Sequence, residues 1–214
     1  INAGTATIEI SGTGNYTGIK YVEFDITKKN IADGDLTISV EPATYTGDEI
    51  TTLEITITYA GNTLKDTDYT VGEFTNNINA GSGATVTISG AGDNFEGTRT
   101  IPFRINPLSL LNSEVEFKDL EESYQYDGNS VSPTFTLMAN GKELVKNTDY
   151  TVFYLNNTKP GFATIRVTGR GNYTGTITTQ YSIVAKGFND CTIEFENNEL
   201  IYNGASQKQI PTVL

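Results

Sequence analysis

The chain has 214 residues, with 26 acidic and 14 basic side chains, a net charge of −12 and a sequence pI near 4.4. This balance argues against a nucleic-acid backbone or an anionic membrane surface as partner, because both are bound by clustered Lys and Arg. No histidine is present, which removes the commonest acid–base catalyst and metal ligand, and no apolar run approaches the roughly 18 residues of a membrane span.

Residues 1–26 are expected to be the C-terminal part of a repeat and to contain two strands. Ala6, Ile8 and Ile10 alternate with polar residues, a period of two that predicts a strand with one buried face. Val22, Phe24 and Ile26 continue the pattern after the stretch GTGNYTG. Its glycines predict a tight turn with positive φ, in which the aromatic ring of Tyr16 closes the end of the core.

Residues 35–105 are predicted to form one complete repeat, and residues 108–183 a second. Both contain short alternating strands, of which Leu36, Ile38 and Val40 form one example. Asn140-Gly141 is a strong hairpin signal, since both residues tolerate the positive φ of a type I′ turn, and the segment Ala60-Gly61-Asn62-Thr63 occupies the place that matches Ala139-Asn140-Gly141-Lys142. With six or seven strands per repeat, the sequence predicts small two-sheet sandwiches.

Residues 190–214 resemble the beginning of another repeat. Cys191 alternates in phase with Ile193 and Phe195, so we expect a buried thiol and not a reactive one. A single cysteine also excludes an internal disulfide. Because residues 1–26 and 190–214 are both partial repeats, the sequence is expected to be an excerpt of a longer protein.

Recurrence of the same motifs in the same order defines the repeat. Aromatic residues at equivalent positions either stack on sugar rings or pack inside the fold, and their recurrence at fixed motif positions favours packing. The Tyr-x-Gly motif occurs at Tyr45 and Gly47, Tyr126 and Gly128, and Tyr202 and Gly204. The glycine before an alternating strand recurs as Gly4, Gly81 and Gly161, and the aromatic residue of the glycine-bracketed turn recurs as Tyr16, Phe95 and Tyr173.

These motifs resemble a known class of bacterial proteins. Tyr126-Asp127-Gly128, the DYTV segments that begin at Asp68 and Asp149, and the GNYTG turns are similar to the immunoglobulin-like surface repeats called YDG or MBG domains. The resemblance implies an all-β fold of tandem small immunoglobulin-like β-sandwiches in a linear array. It also implies large secreted or wall-attached proteins, often adhesins or stalks, and carries over no catalytic residue.

Few residues suggest chemistry. Paired carboxylates make weak calcium candidates at two loops, although neither loop has the spaced acidic ligands of an EF-hand; they are Asp33 and Asp35, and Asp66 and Asp68. Asp68 and Asp149 recur before the same strand, which favours a local hydrogen bond to the backbone instead. No catalytic triad, nucleophile elbow or phosphate-binding loop is present, so no enzyme activity and no cofactor are expected.

The sequence therefore predicts an extracellular or cell-surface spacer segment, a stalk or the shaft of a surface fibre. Its expected partners are neighbouring repeats of the same chain. Two alternatives remain open: an adhesin-type module that binds a carbohydrate or a host protein, and a self-assembling filament subunit that contacts other copies of itself.

Overall fold

A computed structural model describes residues Asn2–Leu214, and every regular element in them is a strand except for two 3-10 turns at Leu110–Asn112 and Phe188–Asp190. The chain divides into two compact units. Unit 1 extends to Leu108 and includes the separate segment Gly171–Thr174, whereas unit 2 contains Ser109–Arg170 and Gly175–Leu214.

Unit 1 contains a two-sheet sandwich and a separate hairpin. Its strands are β1 (Gly4–Ser11), β2 (Ile19–Ile26), β3 (Lys29–Asn30), β4 (Leu36–Val40), β5 (Ala43–Thr44), β6 (Ile55–Tyr59), β7 (Asn62–Thr63), β8 (Tyr69–Thr75), β9 (Gly81–Gly90), β10 (Phe95–Glu96) and β11 (Thr98–Asn106). One sheet has the order β4-β6-β7 and the other the order β5-β11-β9-β8, while β1 pairs with β2 and β3 with β10.

The two sheets of unit 1 pack face to face. Leu36 and Ile57 from the smaller sheet meet Ile88 from the larger one in one buried cluster. A second cluster joins Val86 and Phe103, which follow the predicted alternation, to residues of the loop after β5. Burial of these alternating faces is the main stabilising contribution.

Unit 2 contains a sandwich of the same kind, after the short strand β12 (Leu108–Ser109). Its strands are β13 (Val115–Lys118), β14 (Ser123–Gln125), β15 (Thr136–Ala139), β16 (Lys142–Glu143), β17 (Tyr150–Leu155), β18 (Gly161–Gly169), β20 (Thr176–Val184), β21 (Ile193–Glu194) and β22 (Thr212–Val213); β19 (Tyr173–Thr174) lies in unit 1. The sheets have the orders β13-β15-β16 and β14-β20-β18-β17, and β21 pairs with β22.

The core of unit 2 is built from the same alternation. Leu137 faces inward from the smaller sheet, and Ile165, Val167 and Tyr181 face inward from the larger one, all at 2% exposure or less. The predicted class, all-β with small immunoglobulin-like β-sandwiches, is confirmed.

The predicted hairpin turn at Asn140-Gly141 is confirmed, and the matching segment of unit 1 also forms a hairpin turn, with its centre one residue earlier than the match predicts. Asn140 and Gly141 have φ values of 48° and 77°, and Ala60 and Gly61 have values of 49° and 80°. The turns join β15 to β16 and β6 to β7. Positive φ at both central residues is the geometry of the type I′ turn.

Three burial predictions are wrong. The face of the β1–β2 hairpin that carries Ile8 and Ile10 is half exposed, because no second sheet covers it among the described residues. Tyr16, at the tip of that hairpin, is 78% exposed for the same reason. Cys191 is only partly buried, and Ile193 and Phe195 beside it are exposed.

The part of the chain that the structure describes contains no helix long and apolar enough to cross a membrane.

Candidate functional site

The repeated glycine–aromatic turn is closed by the same backbone hydrogen bond in all three copies. The N–H of the first glycine donates to the carbonyl of the last one at 2.9 Å, and the pairs are Gly12 and Gly18, Gly90 and Gly97, and Gly169 and Gly175. The motif therefore occurs three times in the sequence because the chain forms the same turn at three places.

Glycine is required at both ends of this turn for different reasons. A Cβ atom on Gly90 would lie 2.5 Å from the backbone nitrogen of Glu96, and one on Gly12 would lie 2.8 Å from that of Thr17. The last glycine, by contrast, adopts a φ of 78° at Gly97 and 89° at Gly175, a conformation that L side chains rarely adopt.

The asparagine of the turn is a binding group that the sequence prediction missed. The side-chain oxygen of Asn94 accepts the N–H of Ala3 at 2.8 Å, and its amide nitrogen donates to the side chain of Asn2 at 3.3 Å. Its backbone carbonyl accepts the N–H of Lys29 at 2.8 Å. One residue therefore holds three separate segments of unit 1 together.

Asn172 makes the same three contacts within unit 1. Its side chain accepts the N–H of Ala80 at 2.8 Å and donates to Asn79 at 2.9 Å. Its carbonyl accepts the N–H of Leu108 at 2.9 Å. The available signal was the recurrence of Asn before the aromatic residue together with Asn-Ala-Gly at Asn2 and Asn79.

In the second and third copies of the turn, the aromatic residue packs against the ring of another aromatic residue. Phe95 lies edge-on to Tyr59, with ring centroids 6.3 Å apart, and Tyr173 lies edge-on to Tyr45 at 5.5 Å. Tyr173 is only 6% exposed, whereas Tyr16 is exposed as described above.

The three tyrosines of the Tyr-x-Gly motif have different surroundings. Tyr45 packs against the second core cluster of unit 1, Tyr126 is half-buried, and Tyr202 is 88% exposed. The glycines two positions later all have positive φ, at Gly47, Gly128 and Gly204. Gly4, Gly81 and Gly161 also have positive φ, between 134° and 153°, with open space where a Cβ would lie.

The first pair of calcium candidates surrounds a lysine. Lys29 Nζ lies 2.7 Å from Asp33 and 2.8 Å from Asp35, and it stands over the ring of Tyr59. Hydrogen bonds to these carboxylates raise the pKa of Lys29 above its usual range, and the bond from Lys29 lowers the pKa of Asp35. The ammonium group thus occupies the position between the two carboxylates.

In the second pair of calcium candidates, Asp66 and Asp68 have different roles. Asp68 accepts the backbone N–H of Lys65 at 2.9 Å, and Asp149 accepts that of Val145 at 2.8 Å in the equivalent turn. Asp66 adds a negative charge near Tyr69, whose pKa is raised mainly by burial and secondarily by that charge. Within residues 2–214, no group of three or more Asp, Glu, Cys or His side chains is arranged to hold a metal ion.

In the larger sheet of each sandwich, the first strand in chain order pairs in parallel with the last one. In unit 1, β5 pairs with β11, and the N–H of Tyr45 donates to the carbonyl of Asn106 at 2.8 Å. In unit 2, β14 pairs with β20, and the N–H of Tyr126 donates to Val184 at 2.8 Å. Sequence alternation predicts strands but not their partners, so this feature was not foreseen.

No protein-family model matches the chain, and no curated protein matches it. Among solved structures, protocadherin gamma B2 extracellular cadherin domains 3–6 align with 99% of this chain and 67% of that chain, at 11% identity and a TM-score of 0.23. A likeness at this TM-score carries no argument about this protein.

Proposed function

We propose that this chain is a load-bearing spacer segment of an exported bacterial surface protein. The resemblance to YDG or MBG repeats supports the bacterial setting. The observation that carries the proposal is a parallel pairing in the larger sheet of each unit, where the first strand of that sheet pairs with its last one, β5 with β11 and β14 with β20.

This pairing determines how a module responds to tension. Tension applied at the N-terminal end of β14 and at the C-terminal end of β20 pulls these two strands in opposite directions along their axes. Because parallel strands then slide along each other, their evenly spaced hydrogen bonds are loaded together. An antiparallel pair that is pulled from its open end loses its hydrogen bonds one after another instead.

Single-molecule force spectroscopy tests the proposal by changing the points of attachment. In a Cys191→Ser background, cysteine handles at Glu121 and Val184 load the β14–β20 pair in shear. Handles at Phe162 and Val184 pull apart the open end of the antiparallel β18–β20 hairpin. All three positions are exposed.

We expect the shear attachment to unfold the module at a force severalfold higher than the hairpin attachment. The two attachments load the same fold through different cysteine pairs, and equal melting temperatures of the two variants exclude a difference in equilibrium stability as the cause. Equal unfolding forces would contradict a load-bearing role.

A further inference from the structure

Strand β17 is an edge strand without a bulge. It has only β18 as a neighbour in the sheet, and the pairing runs without interruption from Tyr150 and Gly169 to Leu155 and Thr164. Its sequence, YTVFYL, contains β-branched and aromatic residues with no charge and no proline. An edge of this composition is a template for a further strand.

The open side of β17 presents unpaired backbone groups. The carbonyl of Tyr150 accepts the N–H of Asn147 at 2.7 Å, on the side away from β18. Alternate residues of a strand direct their N–H and C=O groups to the same side. The backbone N–H and C=O groups of Val152 and Tyr154 therefore also point away from β18. Among residues 2–214, no backbone group from that side bonds to either of them.

The side chains beside this edge are apolar and accessible. Phe153 is 56% exposed, Leu155 is also exposed, and the guanidinium of Arg166 lies 5.1 Å from the centre of the Phe153 ring. A strand added along β17 would therefore remove apolar surface from water as well as forming hydrogen bonds.

The equivalent edge of unit 1 is protected. Pairing of β8 with β9 shifts register between Val71 and Phe74, and the irregular stretch carries the exposed charge of Glu73. Bulges and charges are the devices by which proteins prevent edge-to-edge association. Strand β17 has neither of them, so the protection is present in one unit and missing from the other.

We propose that β17 pairs with β17 of a second copy, antiparallel and across a two-fold axis at Phe153. Val152 of each copy then lies opposite Tyr154 of the other, and each such pair exchanges two backbone hydrogen bonds. Phe153 lies opposite its counterpart on the exposed face.

A second copy fits this edge better than a charged partner. The strand itself carries no charge, so the side chains of two paired β17 strands place no like charges opposite each other, although each chain carries −12. A two-fold contact of this kind is self-complementary and closes as a dimer. The pairing goes beyond the load-bearing role and does not depend on it.

Sedimentation velocity over a concentration series tests the pairing, in a Cys191→Ser background and at a salt concentration that screens net charge. We expect the mass to rise from the 23.2 kDa of one chain toward twice that value. Phe153→Lys places two like charges opposite each other at the two-fold axis and is expected to abolish the rise. Phe162→Lys is the matched control, because it makes the same change at an exposed position on β18, and it should leave association intact.

A second comparison tests the hydrogen bonds themselves. Val152→Pro removes an outward N–H, which an edge strand tolerates, and should prevent dimers while the melting temperature shows that the fold is retained. Val71→Pro makes the same change at the equivalent position of β8 and should not affect dimerisation. A monomer at every concentration, or equal loss of dimer in Phe153→Lys and Phe162→Lys, would overturn the proposal.

Discussion

At the scale of single residues, the close approach at Gly90 gives a sharp stability prediction. Gly90→Ala forces the backbone at Glu96 to move, and we expect a loss of about 1–3 kcal/mol in the free energy of unfolding. Gly83→Ala is the control, because its Cβ would meet open space in the same strand. Urea denaturation of both variants measures the difference, and an equally stable Gly90→Ala protein would contradict a steric requirement.

Asn94 gives a second prediction at this scale. Asn94→Ala removes the acceptor for the Ala3 N–H and the donor to Asn2, each hydrogen bond being worth about 1 kcal/mol. We expect the Ala3 amide to exchange its hydrogen severalfold faster, as measured by NMR or mass spectrometry. Asn15→Ala, at the same position of the exposed first turn, should leave that rate unchanged.

At the scale of elements, the segment before β15 lies outside the strand ladders and is held by side chains and by one backbone hydrogen bond, from the N–H of Val131 to the carbonyl of Asn157 at 2.8 Å. Tyr181 donates its hydroxyl to the carbonyl of Val131 at 2.6 Å, and Tyr154 donates to Pro133 at 2.5 Å. Asn157 donates to Val131 at 3.0 Å. The equivalent hydrogen bond occurs in unit 1, where the side chain of Asn77 donates to the carbonyl of Ile50 at 2.9 Å.

These tyrosines predict a loss of stability at alkaline pH. Burial raises the pKa of Tyr154 and of Tyr181, so the folded state holds protons that the unfolded state releases above pH of about 10. Their contribution is complete below that pH and is lost as pH rises toward the folded-state values. Melting temperatures should therefore fall above pH of about 10, and less steeply in Tyr154→Phe than in the parent protein.

Tyr202→Phe is the control for that experiment, since Tyr202 is exposed. We expect it to leave both the neutral melting temperature and the alkaline slope unchanged. Tyr154→Phe also loses a hydroxyl hydrogen bond, at a cost of about 1 kcal/mol at neutral pH. An identical alkaline slope in the two variants would show that Tyr154 does not contribute to it.

Also at this scale, alternation predicted the strands, and Asn-Gly predicted the hairpin turn at Asn140, because both signals are local. Strand partners were not predictable in the same way, since pairing such as that of β5 with β11 depends on distant segments. Tyr16 illustrates a further limit. Its motif differs from that at Tyr173 only at the second position, yet the two rings differ in burial. Burial depends on the surface that packs against each ring, which a motif does not encode.

At the scale of the whole molecule, the acidic excess sets how stability responds to salt. The ion pairs found within residues 2–214 all involve partly or fully exposed side chains, and pairs of this kind contribute little. Repulsion among the excess carboxylates opposes the folded state. Salt screens both the attraction within ion pairs and the repulsion among carboxylates. In a chain with a net charge of −12, the repulsion is the larger of the two.

Stability should therefore rise with ionic strength. Urea denaturation, which adds no ions, is the suitable measurement at low and at near-physiological sodium chloride, where the Debye length is about 8 Å. Glu121→Gln combined with Glu122→Gln lowers the repulsion at two exposed positions, and should reduce the response to salt. The second control is the Phe153→Lys variant at low protein concentration, in which β17 is not expected to pair. If stability still responds to salt in this variant, the response comes from folding and not from pairing of β17. A decrease in stability with salt would mean that the ion pairs outweigh the net charge.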